Sequence, residues 1–421
     1  MSFKKWEYHN QGNNKSFHPK PIQIAYLLIS NSLKDNNNSM PTKTKISTFK
    51  KSALVLSGGF TKAASWHLGV ALGLEEVGLK IGKKNEADDS KDTITTFVGS
   101  SAGALIGSIL ASGISPMEFA SAQIQTNNKK IPKITYKDIL KINLEFHKSN
   151  EKGTPLFLPP KLFFLYQFLQ RTNGFFSTRG LVNFLKENII KEDSFSKLPN
   201  DLFVVATQLD SSRKVIFSNY KYPNPKHDYN TNYYTGFNIS ESVGASMSAP
   251  PIYCPFKLKN PHTNEINYFI DGEIRETLST HAAVDHHCDL IISSWTHSPY
   301  SFKKEIGSLA NYGLPAICIQ SLHLLIQKKI ITSRNQTATA RDILDSVNSY
   351  CKQEGISALH RRKITNIIEK KLNYKNGVEY IDIYPKDEDY KIFFANSFSL
   401  SKKTTELITK TAYKRTLEAI G

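Results

Sequence analysis

The sequence predicts an α/β fold: a mainly parallel central sheet with helices on both faces, followed by a mostly helical C-terminal extension. Three observations carry that prediction. Short apolar runs alternate with helix-period runs from Ala53 to Trp295, the order that inserts a crossover helix between parallel strands. Gly58-Gly59, Ser101 and Asp271 each fall just past a predicted strand end, where open parallel sheets gather functional groups. The 40% hydrophobic and 11% aromatic content is that of an ordinary globular protein with a sizeable core.

Taken in order, residues 1–20 read as a polar arm, 21–33 as a short helix, and 35–39 as a linker. Ala53–Leu56 is a short apolar strand. It breaks at Ser57-Gly58-Gly59-Phe60-Thr61-Lys62-Ala63 into a helix-period run, Ala64–Val77. A strand that opens through glycines into a helix exposes backbone N–H groups, the recipe for an anion cradle. A phosphate or an oxyanion would suit it. The chain lacks both G-x-x-x-x-G-K-[ST] and G-x-G-x-x-G here, so an oxyanion is preferred to a nucleotide.

Glu86–Asp92 is an acidic, lysine-containing surface loop. Thr93–Val98 is a β-branched strand, followed by Gly99-Ser100-Ser101-Ala102-Gly103 and a small-residue apolar helix. Strand, G-x-S-x-G, helix is the context of a nucleophile elbow. Such a turn strains the backbone at Ser101, and a side chain at Gly99 or Gly103 would collide with the neighbouring chain. A glycine-rich turn without chemistry is the plainer alternative.

Residues 153–176 are rich in Pro, Leu and Phe, either a packed helix or an acyl-chain channel. Phe176–Leu185 reads as a helix capped by Ser177 or Thr178. Strands are expected at Asp201–Thr207 and Lys214–Ser218, a polar loop at 223–234, and a small-residue helix at Ile239–Ala249 that ends at Pro250-Pro251. Tyr268–Ile270 is a strand terminating at Asp271-Gly272, and Asp289–Trp295 is another. Beyond residue 301, Leu314–Ile331 and Ala358–Leu372 are amphipathic and Val378–Tyr384 alternates like a strand. The domain reading is a basic arm (1–50), a catalytic body (51–300) and a basic, mostly helical region (301–421).

Charge supports that division. Of 54 basic and 37 acidic residues, nine lysines and two acids lie in 1–51, and twenty basic and twelve acidic residues in 301–421. The middle is nearly neutral. Basic ends suit an anionic surface or simple solubility. No homeodomain, zinc-finger or RNA-binding signature accompanies them, so no nucleic-acid partner is expected. The four cysteines, Cys254, Cys288, Cys318 and Cys351, form no C-x-x-C and read as reduced core or boundary thiols. The first twenty residues lack the apolar stretch of a secretory signal, and Ile22–Ser30 is too short to span a bilayer. No other stretch reaches spanning length, so a cytoplasmic protein, peripheral to a membrane, is expected. His281, His286 and His287 have no zinc spacing and are expected in solvent, and Lys62 on its own could be a surface charge.

With these stretches in place, the sequence resembles the patatin-like phospholipase family. The oxyanion block is Ser57-Gly58-Gly59-Phe60-Thr61-Lys62 with His67-Leu68-Gly69-Val70 after it, and the elbow is Gly99-Ser100-Ser101-Ala102-Gly103. The small-residue and proline block is Ala245-Ser246-Met247-Ser248-Ala249-Pro250-Pro251, and the aspartate block is Asp271-Gly272. Phe60 and Ala63 stand where the family commonly has glycine, and Glu273 where a small residue is usual. The resemblance implies a Ser-Asp dyad, with Ser101 as nucleophile and Asp271 as base. It also implies oxyanion donors at Gly58, Gly59 and Phe60, with Lys62, Gly99, Gly103 and Gly272 in support. It implies no metal and no cofactor, a phospholipid or other acyl-lipid substrate, and an oligomeric state left open. The implied reaction is hydrolysis of phospholipid or lysophospholipid esters through an acyl-enzyme. Acyl transfer or another esterase activity, a lipid-binding protein that lost its chemistry, and a nucleotide-binding module are the alternatives.

Overall fold

The computed structural model describes residues 49–81, 92–124, 130–144, 171–211, 213–223, 231–372 and 374–420. The expected arm, first helix and linker lie outside these residues, as do most of the 86–92 loop, positions 153–170 and positions 224–230. Apart from a short antiparallel pair, Lys141–Ile142 with Phe176–Ser177, the strands in chain order are β1 (Ser52–Leu56), β2 (Lys80–Ile81), β3 (Thr93–Ser100), β4 (Asp201–Gln208) and β5 (Arg213–Phe217). Then follow β6 (Thr231–Tyr234), β7 (Phe256–Lys259), β8 (Ile266–Asp271), β9 (Leu290–Ser294) and β10 (Glu379–Ile383). The helices used below are α1 (Phe60–Glu76), α2 (Ala102–Ala111), α3 (Arg179–Asn188), α4 (Ile239–Ser246), α5 (Gly313–Gln353), α6 (Ala358–Leu372) and α7 (Lys402–Ile420).

All ten of these strands belong to one sheet. Its centre is parallel: β1 lies between β9 and β3, β4 continues on β3, and β10 extends the sheet beyond β9. Every residue of β1 and β9 is buried, which is why their sequences are runs of apolar and small residues rather than alternations. Helix α2 is buried along its whole length, as its small-residue sequence allows.

The antiparallel part of the sheet positions the site. Strand β5 takes one edge of β4 from Val204 to Gln208. The other edge of β4 is shared. Strand β3 runs parallel along it until Ser100 faces Val205, and β8 comes from the opposite direction until Asp271 faces Ala206. The two strands therefore meet end to end, and their next groups are Ser101 and Asp271. The rule for parallel sheets placed Asp271 correctly for the wrong reason. Its strand is antiparallel, and it stops at this spot because β4 offers pairing there only beyond the end of β3.

The C-terminal region is built into this body. It supplies the edge strand β10 and also α7, which lies along α1. Gly69 makes that approach possible: a Cβ there would sit 2.3 Å from the Thr409 carbonyl oxygen. Helix α5 differs from expectation. Its segment Leu309–Gln353 contains an 18-residue window of mean hydropathy 1.3, only 11% of it buried, long and apolar enough to cross a membrane by length and composition. The expectation that no stretch reached that standard is corrected. The window ends in polar sequence whose Arg334 pairs with Asp382 of β10, so the far half of α5 is tied to the sheet. Helix α6 has no buried residue.

Two smaller expectations also change. The helix expected with Ser177 or Thr178 as its cap does start at Arg179 with Thr178 at the N-cap position, but the Thr178 hydroxyl goes to the Gly244 carbonyl (2.9 Å) instead of capping. His286 is buried, not solvated. Its ring bridges Tyr222 Oη (2.5 Å) and Asp201 Oδ2 (2.7 Å), a pairing that holds Asp201 down to about 2 against the pull of burial. None of the four cysteines forms a disulfide: Cys288 and Cys351 are buried, Cys254 half-buried and Cys318 exposed.

Candidate active site

Ser101 stands alone between β3 and α2 with φ 52° and ψ −122°. A non-glycine residue at positive φ is costly, about 1–3 kcal/mol, and persists only when its surroundings over-determine it. Here they do. The Ser101 N–H donates to Ser246 Oγ (2.8 Å), whose own hydroxyl donates to the Val205 carbonyl (2.5 Å). The Ser101 carbonyl accepts from Ala104 (2.9 Å) and Leu105 (3.2 Å), the first bonds of α2. Gly99 and Gly103 flank this turn where a Cβ would strike backbone, 2.3 Å from Gly103 O and 2.2 Å from Leu56 O respectively. The side chain of Ser101 thus projects at the positive end of a ten-residue helix.

Its hydroxyl faces the carboxylate of Asp271, close enough to favour the ionised form of that acid. That carboxylate also accepts the Glu273 N–H (2.8 Å), while the Asp271 N–H donates to Ser248 O (3.0 Å) and Thr207 Oγ1 donates to Asp271 O (3.0 Å). Asp271 is buried. Burial lifts its pKa to about 6, and the Ser101 hydroxyl and the Glu273 N–H hold it from rising further. Gly272 packs where a Cβ would lie 2.3 Å from Val205 O. The nucleophile and the base of the expected dyad are therefore in contact, and the end of α4 pins both through Ser246 and Ser248. Those two serines were visible only as small residues in a matching block; nothing in the residue type separates a bridging hydroxyl from mere smallness.

The glycine turn closes the third side. Gly59 has φ 128° and Phe60 φ 57°, so the non-glycine at position 60 does take the left-handed conformation the turn needs. Its ring secures it, 4.3 Å from the Phe398 ring centroid and 6.4 Å from that of Tyr253. The first-turn N–H groups of α1 have no partner within the helix. The Gly58 N–H, however, is engaged: it donates to Glu273 Oε1 at 2.6 Å.

Lys62 is not a surface charge. It is 3% exposed, and burial alone lowers its pKa to about 8. Around it lie imidazoles that burial keeps neutral. His67 and His323 fall to about 4, and His297 is pushed well down, with the Lys62 charge adding to the effect on His323 and His297. His67 braces the turn itself through Ser57 O (2.7 Å) and Ser294 Oγ (2.8 Å). It holds the turn's backbone and takes no part in the Ser101–Asp271 pair.

A groove of about 850 Å³, counting its open mouth, runs from Phe60 and Ala102 between α1 and α2. Leu68, Leu105, Ile106, Leu181 and Met247 make its walls apolar, and Lys133 and Lys402 stand among its lining residues. Ser101 immediately precedes Ala102 of this lining, so a serine activated there can attack an ester carbonyl whose alkyl tail lies along the groove.

A family model described as patatin-like phospholipase matches residues 54–284, more than half of the chain. No curated protein matches significantly. Among solved structures, VipD from Legionella pneumophila is similar at 14% identity and a TM-score of 0.36, over 88% of this chain and 67% of that one. Human GIVD cytosolic phospholipase A2 is similar at 11% identity and a TM-score of 0.28, over 65% of this chain and 48% of that one.

Proposed function

Because the chain belongs to the patatin-like phospholipase family, we propose that it is a serine lipid acyl hydrolase that cleaves phospholipid or lysophospholipid esters at a membrane surface. The observation that carries this reading is the Ser101 hydroxyl facing the buried Asp271 carboxylate, one residue before Ala102 in the lining of an apolar groove. Asp271 takes the Ser101 proton as Oγ attacks the ester carbonyl, and the Gly58–Phe60 turn and the α2 terminus receive the developing oxyanion. Collapse expels the alcohol half of the lipid, which takes the proton back from Asp271. Water, deprotonated by the same carboxylate, then attacks the acyl-enzyme; the bond to Ser101 Oγ breaks as Oγ regains the proton from Asp271, and the fatty acid is released.

The membrane part of the proposal rests on α5. Leu314, Ile317, Leu322, Leu324 and Leu325 are 43–70% exposed. At 100° per residue they fall within about 160° of the helix, on the side away from the buried His323, Ile326 and Ile330, an apolar face of the kind that lies on a lipid surface. Lys303, Lys304 and Lys328 bracket the segment in sequence, a charge pattern complementary to anionic headgroups. The bilayer is thus the proposed occupant of this face.

Fatty-acid release from phosphatidylglycerol-containing vesicles tests the function, with fluorophosphonate labelling of Ser101 as a membrane-free control. Folded wild type that neither labels nor releases fatty acid would point instead to a lipid-binding protein of the same fold. The paired substitution Leu322→Glu and Leu325→Glu should lower vesicle binding by about tenfold or more and leave labelling intact. Unchanged co-sedimentation with vesicles would remove α5 from the proposal.

The pH profile tests the base. Asp271 must be ionised to act and titrates at about 6, so kcat/KM should fall about tenfold per unit below that pH and level off above it. A limb near pH 4, the ordinary carboxylate value, would mean that the working base is a solvated carboxylate and not Asp271.

A further inference from the structure

We propose that Glu273 is a built-in occupant of the oxyanion position, a carboxyl that stands where the substrate's carbonyl oxygen must sit and leaves before Ser101 reacts. The inference rests on the hydrolase reading and adds a control to the same site.

The geometry is specific. Glu273 Oε1 accepts the Gly58 N–H at 2.6 Å and also the Ser100 hydroxyl. Gly58 touches the nucleophile: a Cβ built on it would lie 2.8 Å from Ser101 Cβ and 2.5 Å from Glu273 Cγ. The carboxyl, the first donor of the glycine turn and the reactive serine therefore share one small space. The second oxygen, Oε2, is buried and has no hydrogen-bond partner among the described residues. A carboxyl kept only to brace a turn would have both oxygens satisfied, because an unpaired buried polar atom costs stability. A carboxyl lodged in a site meant for another group has no reason to.

Chemistry supports the mimicry. Burial, and then the Asp271 charge two residues away, keeps the Glu273 carboxyl protonated well above the usual range. A neutral acid presents Oε1 as a carbonyl oxygen, the group an ester would place against the same N–H. Exit needs no backbone change. Asp271, Gly272 and Glu273 are consecutive, and the Glu273 N–H can stay on Asp271 Oδ1 while the longer side chain rotates away. The turn is anchored beyond it by Lys329 Nζ of α5, which donates to Ile274 O at 2.9 Å.

Removing one oxyanion donor typically costs about 10²–10³ in rate, so freeing the Gly58 N–H has a wide margin in which to show. Two readouts separate this proposal from the hydrolase reading. In a Ser101→Ala background, where no chemistry occurs, Glu273→Ala should tighten oleate binding about fivefold or more by calorimetry, as the Gly58 N–H becomes available to the fatty-acid carboxylate. With Ser101 intact, fluorophosphonate should label Glu273→Ala about tenfold or more faster than wild type, read by intact mass. Glu273→Gln keeps an acceptor oxygen on Gly58 and should match wild type in both. Glu273→Ser, too short to reach Gly58, repeats the truncation with a polar side chain should the alanine variant fold poorly. Truncated variants that melt like wild type but bind and label no better would overturn the proposal and leave Glu273 a brace. Tighter oleate binding with no labelling of any variant would uphold the occupant and sink the hydrolase. Labelling and release by wild type with no gain on truncation would do the reverse.

Discussion

Ser101→Ala and Asp271→Asn should each reduce fatty-acid release by about 10⁴-fold or more, and the double substitution should cost little beyond either one. Residues that act as a unit lose their function together. Here the unit is the Ser101 hydroxyl and the Asp271 carboxylate that faces it. The aspartate variant carries a second signature that separates lost chemistry from lost structure. The folded-state pKa of Asp271, about 6, lies above the 3.8 of an unperturbed aspartate, so ionising the carboxylate opposes folding. The stability linked to its protonated form is fully present below pH 3.8 and is lost as pH rises through about 6. Asparagine stays neutral and escapes that loss. Asp271→Asn should therefore be inactive yet more stable than wild type at pH 8, by about 1–3 kcal/mol, with the gain vanishing towards pH 4. Thermal melts at the two pH values, run beside the vesicle assay, decide the matter. An inactive Asp271→Asn that melts lower at pH 8 would mean that the carboxylate holds the fold rather than the proton. Full activity in that variant would mean that another group deprotonates Ser101.

The sequence made some of this site legible and not the rest, for physical reasons. Close approach writes itself into residue type. Nothing but glycine fits at Gly99, Gly103 and Gly272, whose absent side chains would strike backbone, and so the elbow and the aspartate turn stand out. Alternating apolar and helix-period runs likewise announced the parallel core. What stayed hidden depends on partners distant in sequence. The antiparallel sense of β8 is set by its pairing with β4, some sixty residues earlier. Lys62 is buried because the C-terminal segment closes over its helix, where Ser397 O accepts the Lys62 N–H and the Thr61 hydroxyl. His286 looked like a surface histidine until Asp201, eighty-five positions away, supplied its partner. Glu273 is the sharpest example. Its departure from the small residue usual at that point was visible in the sequence, but its contact with Gly58 spans 215 positions and exists only in the fold.

Gly103→Ala should destabilise the protein by about 2–4 kcal/mol, an overpacking cost at the upper end of the usual range, and should cost activity beyond what the loss of folded protein explains. The added methyl would lie 2.2 Å from Leu56 O, 2.5 Å from Leu56 C and 2.7 Å from Leu56 Cβ. Two of those atoms are backbone, so no rotamer change relieves the clash and α2 must lift from the end of β1. Both halves of the site hang on that junction. Ser101 is the residue immediately before α2, and the residues after Leu56 are Ser57, Gly58 and Gly59. Lifting one from the other widens the gap between the nucleophile and its oxyanion donors, where an ångström costs orders of magnitude in rate. Gly107, one turn further along the same helix, is the control. A Cβ there would meet Leu202 Cδ1 at 3.6 Å and Phe97 Cβ at 3.7 Å, ordinary contact distances. Gly107→Ala should gain helix propensity of up to about 1 kcal/mol and keep full activity. Chemical denaturation of the two variants gives the answer directly. Equal stabilities would show that α2 does not rest on β1 at Gly103, and the packing that aligns serine with glycine turn would have to be sought elsewhere.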